Sequence, residues 1–152
     1  MTEKELKTQL LSYCIDFIDE KYQTLQSEYK IYQESAANET KSTAGDKHDT
    51  SKSMMQLEQE KLGHQLNLLL QQKKVLENIH LGRVYQMVEF GCVVETNLGN
   101  FFLAISAKEI LIKDKKFIPV SVQSPLAMHL AKHRIKEQIH FNGKTYEIQS
   151  IY

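Results

Sequence analysis

Apolar residues recur every seven positions in two long stretches of the first half of the chain, and this period constrains the fold more than any other feature. The first row is Leu11, Ile18, Leu25 and Tyr32, with Ile15, Tyr22 and Tyr29 four residues after its first three members; the second row is Met55, Leu62, Leu69 and Leu76, thickened by Leu66 and Leu70. Rows with this spacing share one helix face and form a coiled-coil seam. Proline is absent between Glu3 and His80, so the pattern predicts two long amphipathic helices.

Between the two rows lies the polar stretch "STAGDKHDTSK", residues 42–52, which carries Asp46 and Asp49. Two helices of about 30 residues joined by such a loop can bury their apolar stripes against each other as an antiparallel hairpin. Each arm would then reach about 45 Å, which makes the loop, at about residues 42–50, a distant tip. A homodimeric coiled coil is the alternative that these rows leave open.

The second half of the chain has the shorter period of β-structure. The stretch "GCVVETNLGNFFLAIS" predicts two strands around the turn Asn97–Asn100, and "EILIKDKKFIPVSV" predicts two more around Lys113–Lys116. In "EQIHFNGKTYEIQSIY" the pair Asn142-Gly143 is a strong signal for a hairpin turn. These segments predict a small antiparallel sheet.

One helix is expected among these strands, in "SPLAMHLAKH". Ser124 suits the N-cap and Pro125 the first helical position, while Leu126 and Leu130 would face inward together. The predicted fold class is therefore α+β, with a helical-hairpin domain over residues 1–80 and a globular domain of one sheet and one helix over residues 81–152.

Composition sets the class of protein and its expected location. The chain has 19 Lys and Arg against 19 Asp and Glu, so no net charge favours nonspecific binding to nucleic acid. A polar, charged start and the lack of a long apolar run predict a cytoplasmic protein without a membrane partner. Cys14 and Cys92 are far apart and lack CxxC partners, so they are expected to be buried, reduced thiols.

The chain resembles the bacterial Gre transcript-cleavage factors, the GreA and GreB family, over nearly its whole length. Residues 117–152, "FIPVSVQSPLAMHLAKHRIKEQIHFNGKTYEIQSIY", look like the C-terminal domain of that family, and the preceding hairpin with an acidic tip is similar to its N-terminal domain. The most specific pieces are residues 120–126 and residues 45–49. The resemblance implies an FKBP-like C-terminal domain and a monomer that binds RNA polymerase through its secondary channel.

The tip carries the functional part of the resemblance. In the family a Gly-Asp pair is followed, after two residues, by a glutamate and an asparagine; here Gly45 and Asp46 match, Asp49 stands at the glutamate position and Thr50 replaces the asparagine. The resemblance implies that Asp46 and Asp49 act in the polymerase active centre. Two carboxylates suit a Mg²⁺ ion shared with the polymerase, since this ion prefers oxygen ligands and often takes only one or two from a protein. The chain is then not an enzyme, but stimulates the polymerase's own cleavage of backtracked RNA.

Basic and capping residues complete the predicted interface with the polymerase. Around the tip, Lys41, Lys47 and Lys52 are placed to contact the RNA 3′ end or an acidic channel wall. In the globular domain the partner-binding candidates are Ser124, Pro125, Lys132 and Arg134, with His133 and Lys136 beside them. Lys132 and Lys136 occupy positions where the family usually has glycine, and Ser42 stands where an arginine is common.

Several other interpretations remain open from the sequence alone. Acids in a loop between helices often serve only as caps and turn residues, so Asp46 and Asp49 have a structural explanation too. A secondary-channel regulator that does not stimulate cleavage and a coiled-coil interaction protein fit the same pattern. A thiol enzyme using Cys14 or Cys92 with a histidine lacks an oxyanion motif, and a prolyl isomerase would need a concave aromatic pocket.

Overall fold

The computed structural model of the chain describes residues 1–39 and 46–152, and its description of side chains covers residues 1–38 and 50–152. Helix α1 spans Glu3–Glu39 and helix α2 spans Asp46–Leu76. The strands are β1 Val93–Thr96, β2 Gly99–Ala104, β3 Ile110–Ile112, β4 Lys115–Ser121, β5 Gln138–Phe141 and β6 Lys144–Ile151, with helix α3 at Pro125–Leu130 before β5. The predicted α+β fold with two long helices is confirmed.

The residues of the chain form two compact units, and the boundary between the units cuts through both long helices. The sheet unit consists of Met1–Asp16 and Lys74–Tyr152, and the helical unit consists of Phe17–Lys73. The first four turns of α1 therefore belong with the strands. The predicted domain boundary at residues 80 and 81 stays a prediction.

Within the helical unit, α1 and α2 run antiparallel. Near one end Lys73 Nζ of α2 lies 2.7 Å from Asp19 Oδ1 of α1. Ten residues later on α1 and ten residues earlier on α2, a Cβ on Gly63 would lie 3.7 Å from Tyr29 Cε2. The seam predicted from the heptad rows is at least half-buried in this unit at Ile18, Tyr22, Leu25, Tyr29, Tyr32, Met55, Leu62, Leu66 and Leu69.

The prediction was wrong for Leu70, whose side chain is 44% exposed. One residue advances a helix by about 100°, and Leu69 already fills the seam position beside it. Leu70 therefore lies at the margin of the seam and remains exposed on the surface of α2.

The helix α1 begins with a reciprocal cap that belongs to the sheet unit. The Thr2 hydroxyl accepts a hydrogen bond from the Glu5 amide at 3.1 Å, and the Glu5 carboxylate accepts one from the Thr2 amide at 3.0 Å. Such a capping box satisfies two amides that have no partner inside the helix. Further along, the Tyr13 hydroxyl donates to the Lys108 carbonyl at 2.8 Å, which ties α1 to the segment before β3.

The six strands form one sheet in the order β3-β4-β2-β1-β6-β5. All neighbouring pairs are antiparallel except β2 and β4, which run parallel with Asn100 opposite Phe117 and Ala104 opposite Ser121. The expectation of a wholly antiparallel sheet therefore fails at one pair. Strand β3 forms a hairpin with β4 at the sheet edge, and this reversal brings β4 back beside β2 in the same direction as β2.

The turns lie where the sequence indicated them, although two are shorter than predicted. Only Asn97-Leu98 and Lys113-Asp114 separate their strands, and Thr96 closes the first turn by accepting from the Gly99 amide at 3.1 Å. Asn142 and Gly143 have φ of 50° and 72°, the conformation that the two-residue hairpin turn requires.

Both faces of the sheet are buried at its centre, because Val93 and Phe102 are as fully buried as Val94 and Leu103, which point to the opposite face. The face of Val94 and Leu103 carries the core of the strands. Its buried cluster combines strand residues with Tyr85, Val88 and Leu130, and Leu126 packs against it. Leu126 and Leu130 thus face inward as predicted. Cys14 and Cys92 are free and buried, also as predicted. In the described ranges, 1–39 and 46–152, no helix is long and apolar enough to cross a membrane.

Candidate functional site

The end of the helical unit holds the two acids that the sequence singles out. Asp46 is the first residue of α2 and Asp49 lies in its first turn. Residues three apart in a helix are neighbours on its surface, so the backbone allows both carboxylates to serve one ligand. The same position also suits a structural role, because carboxylates at a helix N-terminus are stabilised by the helix dipole.

The remaining tip residues are only partly described. Residues 40–45, with Lys41, Ser42 and Gly45, lie outside the described part of the chain, as do the side chains of Asp46, Lys47 and Asp49. Lys52 is described and half-buried on α2. The predicted roles of these residues as metal ligands or RNA contacts stay predictions.

From the sequence, Asp46 and Asp49 are expected to bind a metal ion together with another molecule. Among the described residues there is no group of three His, Cys, Asp or Glu side chains that could hold a metal ion. Two carboxylates alone leave most positions of an octahedral Mg²⁺ to other ligands. The binding of a shared Mg²⁺ by Asp46 and Asp49 stays a prediction.

Ser124 begins α3 and is held by hydrogen bonds of its own. Its hydroxyl accepts from the Ala127 amide at 3.3 Å and donates to the Ser121 carbonyl at 2.7 Å, while Pro125 is the first residue of the helix. The predicted N-cap is thus confirmed. The partner-binding role of Ser124 and Pro125 stays a prediction, and the half-buried hydroxyl already has a structural task.

The loop after α3 carries a basic segment on an anchored backbone. Lys132, Arg134 and Lys136 are exposed. The Lys132 amide donates to the Val88 carbonyl at 2.7 Å, and the Lys136 amide donates to the Ile148 carbonyl at 2.8 Å. The backbone is fixed at both ends of the segment, so the three cationic side chains project into solvent from a defined position.

Lys132 and Lys136 both adopt a left-handed backbone conformation, with φ of 67° and 76°. A side chain costs about 1 kcal/mol or more in this region, and glycine avoids that cost. These are the two positions at which the family resemblance expects glycine. The chain therefore has the backbone geometry that favours glycine there, combined with lysine side chains.

The sheet unit contains a buried cation that was not singled out from the sequence. Lys7 lies on α1 and is only 2% exposed. Its Nζ has no hydrogen-bond partner among the described residues and lies 4.2 Å from the centroid of the Tyr85 ring. Burial is the main cause that lowers the pKa of Lys7 from 10.5 to about 8. The only signal in the sequence is the helical spacing of Lys7 with the apolar Leu10 and Cys14.

A second polar cluster surrounds Glu95 on β1. One carboxylate oxygen accepts from Lys115 Nζ at 2.9 Å and the other accepts from the Tyr152 hydroxyl at 2.7 Å. Burial and the hydrogen bond to Glu95 raise the pKa of Tyr152. Because both oxygens of Glu95 have partners, the cluster joins β1 to β4 and to the end of β6.

Neither cysteine has the properties of a catalytic nucleophile. Burial raises the pKa of Cys14 to about 12 and that of Cys92 to about 11. A thiol reacts as its thiolate and needs access to substrate. The raised pKa values and the burial of both thiols therefore argue against the thiol-enzyme alternative.

The fold and the candidate site define an α+β protein with two long helical arms, an acidic pair at the start of the second arm and a basic loop on the sheet unit. No family model matches the chain, and no curated protein matches it either. Among solved structures, that of the transcription factor Gfh1 is similar, with 15% identity, a TM-score of 0.34 and coverage of 86% of this chain and 92% of that chain. This similarity assigns neither a family nor an activity to the chain.

Proposed function

We propose that the chain is a transcription factor of the Gre type, which binds RNA polymerase and raises the polymerase's own cleavage of backtracked RNA. In this proposal the helical arms enter the secondary channel, and Asp46 and Asp49 share a Mg²⁺ ion with the polymerase active centre. The sheet unit docks at the channel entrance.

The observation that carries the proposal is the pair of antiparallel arms with Asp46 at the start of the second. From Phe17 to Glu39, α1 runs through 23 residues of the helical unit, which corresponds to about 35 Å. An arm of this length can carry an acidic end into a deep, narrow site of another protein. In that site the two acids would help to bind a shared metal ion, which can polarise phosphate and orient an attacking water.

The basic loop gives the proposal a second line of support. Lysines at two positions that favour glycine incur a conformational cost, and such a cost is often associated with a functional surface. Among the described residues, neither Lys132, Arg134 nor Lys136 forms an ion pair. Glu137 follows directly and lies 3.9 Å from His133 Nε2, but the three exposed cations outnumber it and suit an acidic docking surface on a partner.

Removing either tip carboxylate should abolish the stimulation of cleavage. In a stalled, backtracked complex of bacterial RNA polymerase, the parent chain should accelerate RNA cleavage. Asp46→Asn and Asp49→Asn, which keep the side-chain shape, should each lose at least about tenfold of that acceleration, since metal ligation contributes several kcal/mol. Asp114→Asn is the matched control, because Asp114 lies in the β3-β4 turn with a φ of 67° that asparagine tolerates.

The outcomes of this experiment separate the candidate functions. A parent chain that binds the polymerase without accelerating cleavage would be a channel regulator, and one that does not bind would be an interaction protein of another kind. Full activity in both tip variants would rule out the metal-ligand role of Asp46 and Asp49.

Docking through the basic loop can be tested without altering the fold. The double variant Lys132→Gly with Lys136→Gly removes two charges at backbone positions that favour glycine, so the free energy of unfolding should change by less than about 1 kcal/mol. Its affinity for the polymerase should fall about fivefold or more, with a weaker dependence on salt. Lys113→Gly is the control, because Lys113 is exposed in the β3-β4 turn and also has a positive φ, 49°. Equal losses in the control and the double variant would contradict a local docking surface.

A further inference from the structure

We draw no further inference here: the strongest candidate, the patch of exposed apolar side chains that Met54, Leu57 and Leu68 form along one side of α2, carries nothing because nothing in the structure shows what covers it.

Discussion

Lys7→Met should raise the free energy of unfolding at pH 7 by about 3 kcal/mol, the largest gain expected from a single substitution in this chain. In the described part of the chain the buried Lys7 ammonium has no hydrogen-bond partner, and it lies over the Tyr85 ring. Arg83 also lies over that ring, with its Cζ 5.0 Å from the centroid, and opposes the charge of Lys7. Methionine fills a similar volume without a charge.

The sign of the pH dependence follows from the lowered pKa of Lys7. Its pKa is about 8 in the folded chain against 10.5 for the free side chain. The unfolded chain therefore binds more protons between these values, and the stability of the parent rises with pH from about 8 to about 10.5. At pH 7 both states are charged, so the folded chain bears the whole penalty, about 1.4 kcal/mol for each pH unit of the pKa shift.

Urea unfolding at pH 7 and pH 10 measures this effect. The advantage of Lys7→Met should shrink by about 2 kcal/mol between the two values, as the parent's lysine becomes neutral. Cys14 and Cys92 have raised pKa values and so reduce stability above about pH 9, but they act equally in parent and variant and cancel in the difference. Lys4→Met, at an exposed position of α1, should change little. An equal stability of parent and Lys7→Met at pH 7, or a gain that does not vary with pH, would contradict the account of Lys7.

Local signals explain most of what the sequence predicted correctly. The heptad rows placed both arms because an apolar stripe of that period has to be buried along a helix. Asn142-Gly143 and Ser124-Pro125 specify a turn and a helix start through their own backbone preferences. Each of these features depends on residues close together in the chain.

The features that the sequence missed depend on residues that are far apart. The parallel pairing of β2 with β4 follows from the position of β3 at the sheet edge, and the burial of Lys7 follows from the packing of the first turns of α1 in the sheet unit. Within a helix, the sequence pattern also could not predict which of the two neighbours Leu69 and Leu70 faces the seam, because both are leucines. The candidate site divides in the same way: the sequence placed Asp46 and Asp49 in a polar loop at about residues 42–50, whereas the structure begins α2 at Asp46. Only the structure reveals the left-handed backbone at Lys132 and Lys136.

Gly91→Ala should destabilise the sheet unit by about 3 kcal/mol, because a backbone strain and a steric clash coincide at this residue. Gly91 has a φ of 90°, and a Cβ added there would lie 2.6 Å from the Tyr85 hydroxyl oxygen. The conformation costs a side chain about 1 to 2 kcal/mol, and forcing an atom into a packed core costs a further 1 to 3 kcal/mol. The Gly91 amide also donates to the Leu103 carbonyl at 2.7 Å, so the backbone cannot shift without loss.

A second substitution separates the clash from the strain. In Tyr85→Phe the hydroxyl is gone, and the nearest atoms to the new Cβ would be the ring carbon at 3.6 Å and Ile79 Cγ1 at 3.7 Å, both ordinary contacts. Combining Gly91→Ala with Tyr85→Phe should therefore recover about 1 to 2 kcal/mol, measured as the coupling energy of a double-mutant cycle in urea. Gly143→Ala is the control for strain alone, since Gly143 has a φ of 72° and open space around the Cβ position; it should cost about 1 kcal/mol. If Gly91→Ala proves as mild as Gly143→Ala, or if Tyr85→Phe recovers nothing, the Tyr85 hydroxyl does not restrict position 91.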